Sequence, residues 1–194
     1  MRRRGPRAPL LRVGDFGSYS MYALAHLGVA SLFARVTSGR QPRLRIDYRI
    51  VLVGSMIADL VDKPIGFAIG ISGRAAAHTG AFAVGLTLLA FAAHLRGRNG
   101  LAWFAFGHWT HLLLDGMWED PTVLFYPGFG WAFPPASATV LDLLFRFQDP
   151  VVLGGEILGA FLLAILAYEV KLSSWSALRR FVLSGELPSK QNSG

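Results

Sequence analysis

Five long apolar blocks follow one another along the chain, and nearly all of them enclose ionisable residues. They run at about Ser18–Val36, Ile50–Ile71, Ala75–Leu95, Leu101–Met117 and Val151–Val170. Most approach the ~20 residues that a helix needs to cross a bilayer. The second is interrupted by Asp59, Asp62, Lys63 and Pro64. Its apolar run before Asp59 is too short to span alone. Proline lacks an amide hydrogen and disfavours helix at the residue before it, so the pattern predicts a break near Pro64. Broken helices are tolerated at membrane depth where they line protein or a wet cavity. The expected fold is all-α, a polytopic membrane bundle of about five helices with one broken near Pro64.

The segments around these blocks have a different character. Residues 1–20 carry Arg2, Arg3, Arg4, Arg7 and Arg12 among Pro6 and Pro9, and read as a basic disordered tail. Residues 21–172 form the helical domain, with no internal repeat. Trp118–Pro150 gathers Trp118, Phe125, Tyr126, Phe129 and Trp131 among Pro121, Pro127, Pro134 and Pro135, as at a membrane interface. Ala138–Gln148 is expected to form a short amphipathic helix lying there. Residues 173–194, with Arg179, Arg180 and Lys190, read as a basic, loosely ordered C-terminal tail.

Composition strengthens the membrane reading. The chain is 53% hydrophobic and 16% charged, where a soluble domain carries about 25% charge. It has no cysteine. Disulfides, thiolate metal sites and a cysteine nucleophile are therefore excluded, and any metal must be held by His, Asp or Glu. The net charge is +7, but the arginines flank apolar blocks. They read as anchors facing anionic lipid, and no nucleic-acid recognition module accompanies them. The expected partner is membrane lipid, with no nucleic acid.

Charge also orients the blocks. The connection Thr37–Arg49 carries four arginines, and the third connection carries Arg96 and Arg98. Basic loops favour the cytoplasm. Blocks two to five then alternate across the membrane and leave the C-terminus cytoplasmic. The first block either spans, with five helices slightly favoured over four, or lies at the interface. In this arrangement Asp59, Asp62, His78, His108, His111, Asp115 and Glu156 all fall toward the outer side, and His26 can reach it. The charge rule did not require that convergence.

An ionisable group at the bilayer centre costs about 2.5–3.5 kcal/mol on insertion scales, so such groups persist where they pair, ligate or line water. His108-x-x-His111-x-x-x-Asp115 puts two imidazoles and a carboxylate within roughly 60° of one helix face. Those donors suit zinc and similar divalent ions; a pair of pore-lining histidines is the plainer alternative. Asp59 and Asp62 also share a face, and two close carboxylates call for a cation or a proton. Lys63, one turn from Asp59, offers a buried ion pair instead. His78 lies one turn after Arg74, which can serve as an anion fork or as an interfacial anchor. His26 is a ligand candidate or a core histidine. Glu156 is a ligand, a general base or an interfacial carboxylate.

These residues sit in recognisable company. Met21-Tyr-Ala-Leu-Ala-His26, Ala58-Asp-Leu-Val-Asp-Lys-Pro64, Gly73-Arg-Ala-Ala-Ala-His-Thr79 and His108-Trp-Thr-His-Leu-Leu-Leu-Asp115 all carry the likeness, followed by Trp118 and Tyr126-Pro127. From about Met21 to Tyr168 the chain resembles the membrane-bound metal-dependent hydrolases of the YdjM type. Two positions depart from that pattern: Ala58 stands where proline is expected, and His108 where the family often has a small or apolar residue. The second departure ranks His108 below His111 and Asp115 as a ligand. The family is similar, more remotely, to zinc-dependent phospholipase C and P1-type nucleases. That resemblance implies phosphoester hydrolysis with zinc as the first-choice metal, and a site opening at the outer lipid boundary makes a lipid phosphoester the expected substrate. Metal ligands are expected among His26, Asp59, Asp62, His78, His108, His111 and Asp115, with Arg74 and Glu156 in catalytic roles. A proton- or ion-coupled transporter using the same cluster, and a haem-binding protein using two histidines, are the rival readings.

Overall fold

The computed structural model describes residues 22–41, 45–136, 146–171 and 174–185. The tail 1–20, most of the expected helix Ala138–Gln148 and residues 186–194 lie outside the described residues. Of that expected helix, Arg146–Gln148 is described, as a single 3₁₀ turn.

The described chain is helical, with a lone antiparallel bridge between Ile71 and Pro135. The main helices are α1 (Ala23–Arg40), α2 (Tyr48–Gly54), α3 (Ile57–Ile69), α4 (Gly80–His94) and α5 (Gly100–Leu114). They are followed by the short α6 (Pro121–Leu124), α7 (Pro150–Val170) and α8 (Trp175–Ser184). Among the described residues, α7 is the one helix long and apolar enough to cross a membrane unaided. Its 21 residues reach about 31 Å at 1.5 Å per residue. The helix α4 is apolar but shorter.

The break in the second block falls eight residues before the expected place. Pro64 lies inside α3, and the chain turns at Ser55–Met56 between α2 and α3. The physical reason is a competing acceptor role. The turn closes with Met56 N–H donating to the Val53 carbonyl. It leaves the Ser55 carbonyl, released from the helical ladder, to accept from His111 Nδ1 at 2.8 Å. The proline forfeits one helical bond. The turn instead orients a site residue.

Small residues set the helix crossings. A Cβ at Gly28 would strike the Gly159 backbone, so α1 and α7 meet backbone to backbone. Gly54 against Phe104 and Gly107 against Val51 do the same for α2 and α5. Such close approach is how helices pack where apolar burial gives no drive for association. The helices α1 and α7 run parallel: Glu156 meets the start of α1, and Arg35 pairs with Glu169 near both ends. The helices α4 and α5 run antiparallel, tied by Trp109 Nε1 donating to Thr87 Oγ1. One core cluster, of Ala30, Ala34, Ile46, Tyr48, Val51, Leu166 and Val170, fills the arginine-rich end of the bundle. At the opposite end, Ala83, Leu112, Met117 and Val123 form a second.

The expected loose C-terminal tail is corrected over Trp175–Ser184, which is the helix α8. Ala177 is buried there, and Phe181 packs on the cluster that holds Ile46, Tyr48 and Val170.

Candidate metal centre

Four buried side chains meet where the C-terminal end of α5, the start of α3 and the 3₁₀ turn Ala76–His78 converge. One ligand atom from each of Asp59, His78, His111 and Asp115 lies within 4.8 Å of all the others. The two imidazole Nε2 atoms are 3.2 Å apart. Asp59 Oδ1 is 3.6 Å from His78 Nε2 and 3.8 Å from His111 Nε2. Asp115 Oδ2 is 3.6 and 3.8 Å from the same two atoms.

The tautomers follow from what holds the rings. His111 Nδ1 faces a backbone carbonyl, Ser55 O, which only accepts. His78 Nδ1 lies 2.7 Å from Asp62 Oδ2. Asp62 already accepts from the backbone N–H groups of Ala75, Ala77 and His78 at 2.8, 3.1 and 3.1 Å. A carboxylate so surrounded by donors is ionised and accepts a hydrogen bond from His78 Nδ1–H. Each ring therefore spends its proton at Nδ1 and turns an Nε2 lone pair inward. Two lone pairs 3.2 Å apart repel unless a shared proton or a metal cation lies between them. Asp59 Oδ1 is also buried without a hydrogen-bond donor among the described residues. Lys63 Nζ holds the other oxygen of Asp59 at 2.6 Å.

This donor set fits a divalent metal. Zinc binds His nitrogen and carboxylate oxygen at about 2.0–2.2 Å, which sets a tetrahedral ligand–ligand edge of about 3.4 Å. The five separations that involve an imidazole nitrogen, 3.2–3.8 Å, bracket that edge, and the two carboxylate oxygens lie within 4.8 Å of each other. Aligned carboxylate–imidazole and carbonyl–imidazole pairs behind metal-facing nitrogens are the usual support of such sites.

The other expected site residues take different places. Asp62 stands behind His78 and orients it. His26 also stands outside the four: its Nε2 lies 3.2 Å from Asp115 Oδ1, and its ring stacks on His111 at 4.1 Å. Arg74 reaches the same place, with NH2 donating to the Asp115 carbonyl at 3.1 Å and lying 3.4 Å from Asp115 Oδ2. His108 is fully buried one turn before His111, edge-on to Phe82. Neither of its nitrogens has a hydrogen-bond partner among the described residues, and it is not in the four-residue group. Glu156 accepts from the backbone N–H groups of Leu24 and Ala25 at 3.2 and 2.9 Å. It thereby satisfies amides at the start of α1 that would otherwise be orphaned. Ser55 was not among the sequence candidates. It acts through its carbonyl, a group every residue has, so no side-chain pattern points to it.

A family model described as YdjM inner membrane protein matches residues 21–182. The chain belongs to that family. No curated protein and no solved structure matches it. The YdjM match covers all four clustered residues, together with His26, Asp62, Arg74 and Ser55.

Proposed function

We propose that this YdjM-family chain is a multi-pass membrane hydrolase. In this reading it cleaves phosphoesters, lipid phosphoesters first among them, with zinc held by Asp59, His78, His111 and Asp115. The C-terminus lies on the cytoplasmic side and the metal centre toward the other face. The single observation that carries the reading is the pair of inward Nε2 atoms, each ring backed at Nδ1 by an oxygen, grouped with two carboxylates. A zinc ion in such a set supplies Lewis acidity and a water acidified toward pH 7.

The chain's own residues do the rest. Asp62 and Ser55 hold the imidazoles in register, and Lys63 fixes which Asp59 oxygen faces inward. Arg74 is the cation beside the cluster. Its guanidinium suits a phosphate oxygen, since arginine forks match that geometry. His26, outside the four but against Asp115, is placed to accept and return a proton. Trp118, Phe125, Phe129 and Trp131 are exposed on the loops that follow Asp115. Ser72 N–H donates to the Pro134 carbonyl and ties that loop to the strand of chain carrying Arg74. Aromatic side chains of this kind favour the headgroup region, where a lipid phosphoester lies.

The test is hydrolysis by zinc-loaded protein in nanodiscs, against a panel of phospholipids, lipid phosphates and soluble phosphoesters. Turnover that disappears on chelation, returns with zinc and is lost in Asp115→Asn supports the reading. A loaded protein inert toward the whole panel, yet passing zinc into liposomes, replaces it with the transport reading.

A further inference from the structure

The second helix of interest is α8, at the opposite end of the bundle from the metal centre. It begins five residues after Val170, where α7 has already traversed about the thickness of a bilayer core. It is pinned to the start of α2: Tyr48 N–H donates to the Gly185 carbonyl at 2.9 Å, and Arg49 donates to the Val182 carbonyl. Position along the bundle is thus fixed from two sides, at the level where α7 ends and α2 begins.

The faces of α8 are unequal. Ala177, Leu178 and Phe181 turn toward the bundle, and Ala177 and Phe181 are held there. Beside them Val182, Trp175 and Leu183 occupy an arc of roughly 100° at 100° per residue. They are 56, 78 and 66% exposed. Arg179 lies within that arc and Arg180 on its polar side, and no described acidic side chain pairs with either. Lys171, Arg45 and Arg49 lie at the same end, Arg49 being shared with Asp47. An apolar arc that holds one arginine and is flanked by another, neither paired with a described acidic side chain, is the chemistry of a helix lying in a membrane boundary, apolar side in the acyl region and guanidinium groups snorkelling to phosphate level.

We propose that α8 is an interfacial helix bound to the anionic lipid of the leaflet at the arginine-rich end, with Trp175, Val182 and Leu183 among the acyl chains and Arg179 and Arg180 on headgroup phosphates. This rests on the membrane-spanning reading of the bundle, and it assigns the helix a ligand that the metal centre does not involve.

The natural absence of cysteine gives a clean test. Single variants Leu183→Cys, Ser184→Cys and Leu158→Cys carry an environment-sensitive fluorophore. Each full-length protein is placed in nanodiscs of neutral phosphatidylcholine or of phosphatidylcholine with phosphatidylglycerol. Leu158 is an exposed residue of α7 and reports embedding of the bundle itself. The expected result is an apolar, spin-labelled-lipid-quenched signal at 183, a watery signal at 184, and a stronger contrast in anionic discs. Neutralising Arg179 and Arg180 to glutamine lowers the ratio of buried to watery probe at 183 by roughly fivefold per arginine in anionic discs, with little change in neutral ones. A watery probe at 183 beside a lipid-quenched probe at 158 overturns the assignment of α8 alone. Watery probes at both positions overturn the membrane-spanning reading with it. A probe at 183 that is shielded in detergent only as protein concentration rises assigns the face to a second copy of the chain and overturns the lipid partner.

Discussion

Replacing Asp62 by asparagine isolates the support of the metal centre from its ligands. Asp62 Oδ2 takes three donors, Ala75 N–H, His78 N–H and His78 Nδ1–H, and Oδ1 takes Ala77 N–H. In Asp62→Asn the amide oxygen keeps the three-donor side, while the amide nitrogen faces Ala77 N–H and that bond is lost. The bond to His78 Nδ1 survives in geometry but loses its charge assistance, so the ring becomes a poorer donor of its Nε2 lone pair. Losses of this kind lower metal affinity by about 10–100-fold, which is about 1.4–2.7 kcal/mol. Competition of the purified protein against a chromophoric zinc chelator reads this directly. The variant should retain one ion per chain at saturation with a raised dissociation constant. Affinity equal to wild type, with the variant folded, would refute the claim that Asp62 orients a metal-facing imidazole.

Three other perturbations separate packing from chemistry. Gly107→Ala puts a methyl group against the Val51 carbonyl and 2.8 Å from Ser55 N; it should cost about 1–3 kcal/mol of stability and weaken zinc binding through the Ser55–His111 bond, whereas Gly85→Ala, with open space at its Cβ, should melt at or above the wild-type temperature. Glu156→Ala strands the amides of Leu24 and Ala25, at about 1–3 kcal/mol for each buried group, so melting should fall while zinc stoichiometry stays intact; unchanged melting with lost hydrolysis would show instead that Glu156 works chemically. Asp47, at the start of α2, has its carboxyl held below the ordinary value of 3.8, first by its hydrogen bond to Arg49, against the opposing effect of burial. Its contribution to stability is therefore complete above the unfolded value and disappears as pH falls through the lowered folded one, so the wild-type and Asp47→Asn unfolding curves should differ by a constant amount above about pH 4 and converge below it.

How much of this was legible in the sequence depends on which atoms are involved. Helical class and block boundaries came from apolar run length, and the four clustered residues from charge inside apolar blocks, because both are properties of side chains in order. Asp59, His78, His111 and Asp115 stood among the candidates; their separation from Asp62, His26 and His108 did not. Asp62 and Asp59 sit three apart on one helix face, and only the fold of the turn 75–78 decides which carboxylate meets backbone amides. The break at Ser55–Met56 went unseen because proline is a strong local signal, while the released carbonyl depends on α5 lying against Gly54. The ordered α8 went unseen because a short basic segment reads as a tail until its docking face, Ala177 and Phe181, has a partner.

The central claim is that two imidazoles and two carboxylates hold one divalent ion. X-ray absorption at the zinc edge, on protein purified in detergent and loaded with one equivalent of zinc, tests it most directly. The account predicts a low-coordinate spectrum with imidazole scattering from two rings and oxygen at about 2.0–2.2 Å, reduced to one ring in His78→Ala. An ion with no imidazole scattering, or a protein that retains no zinc at all, would contradict it.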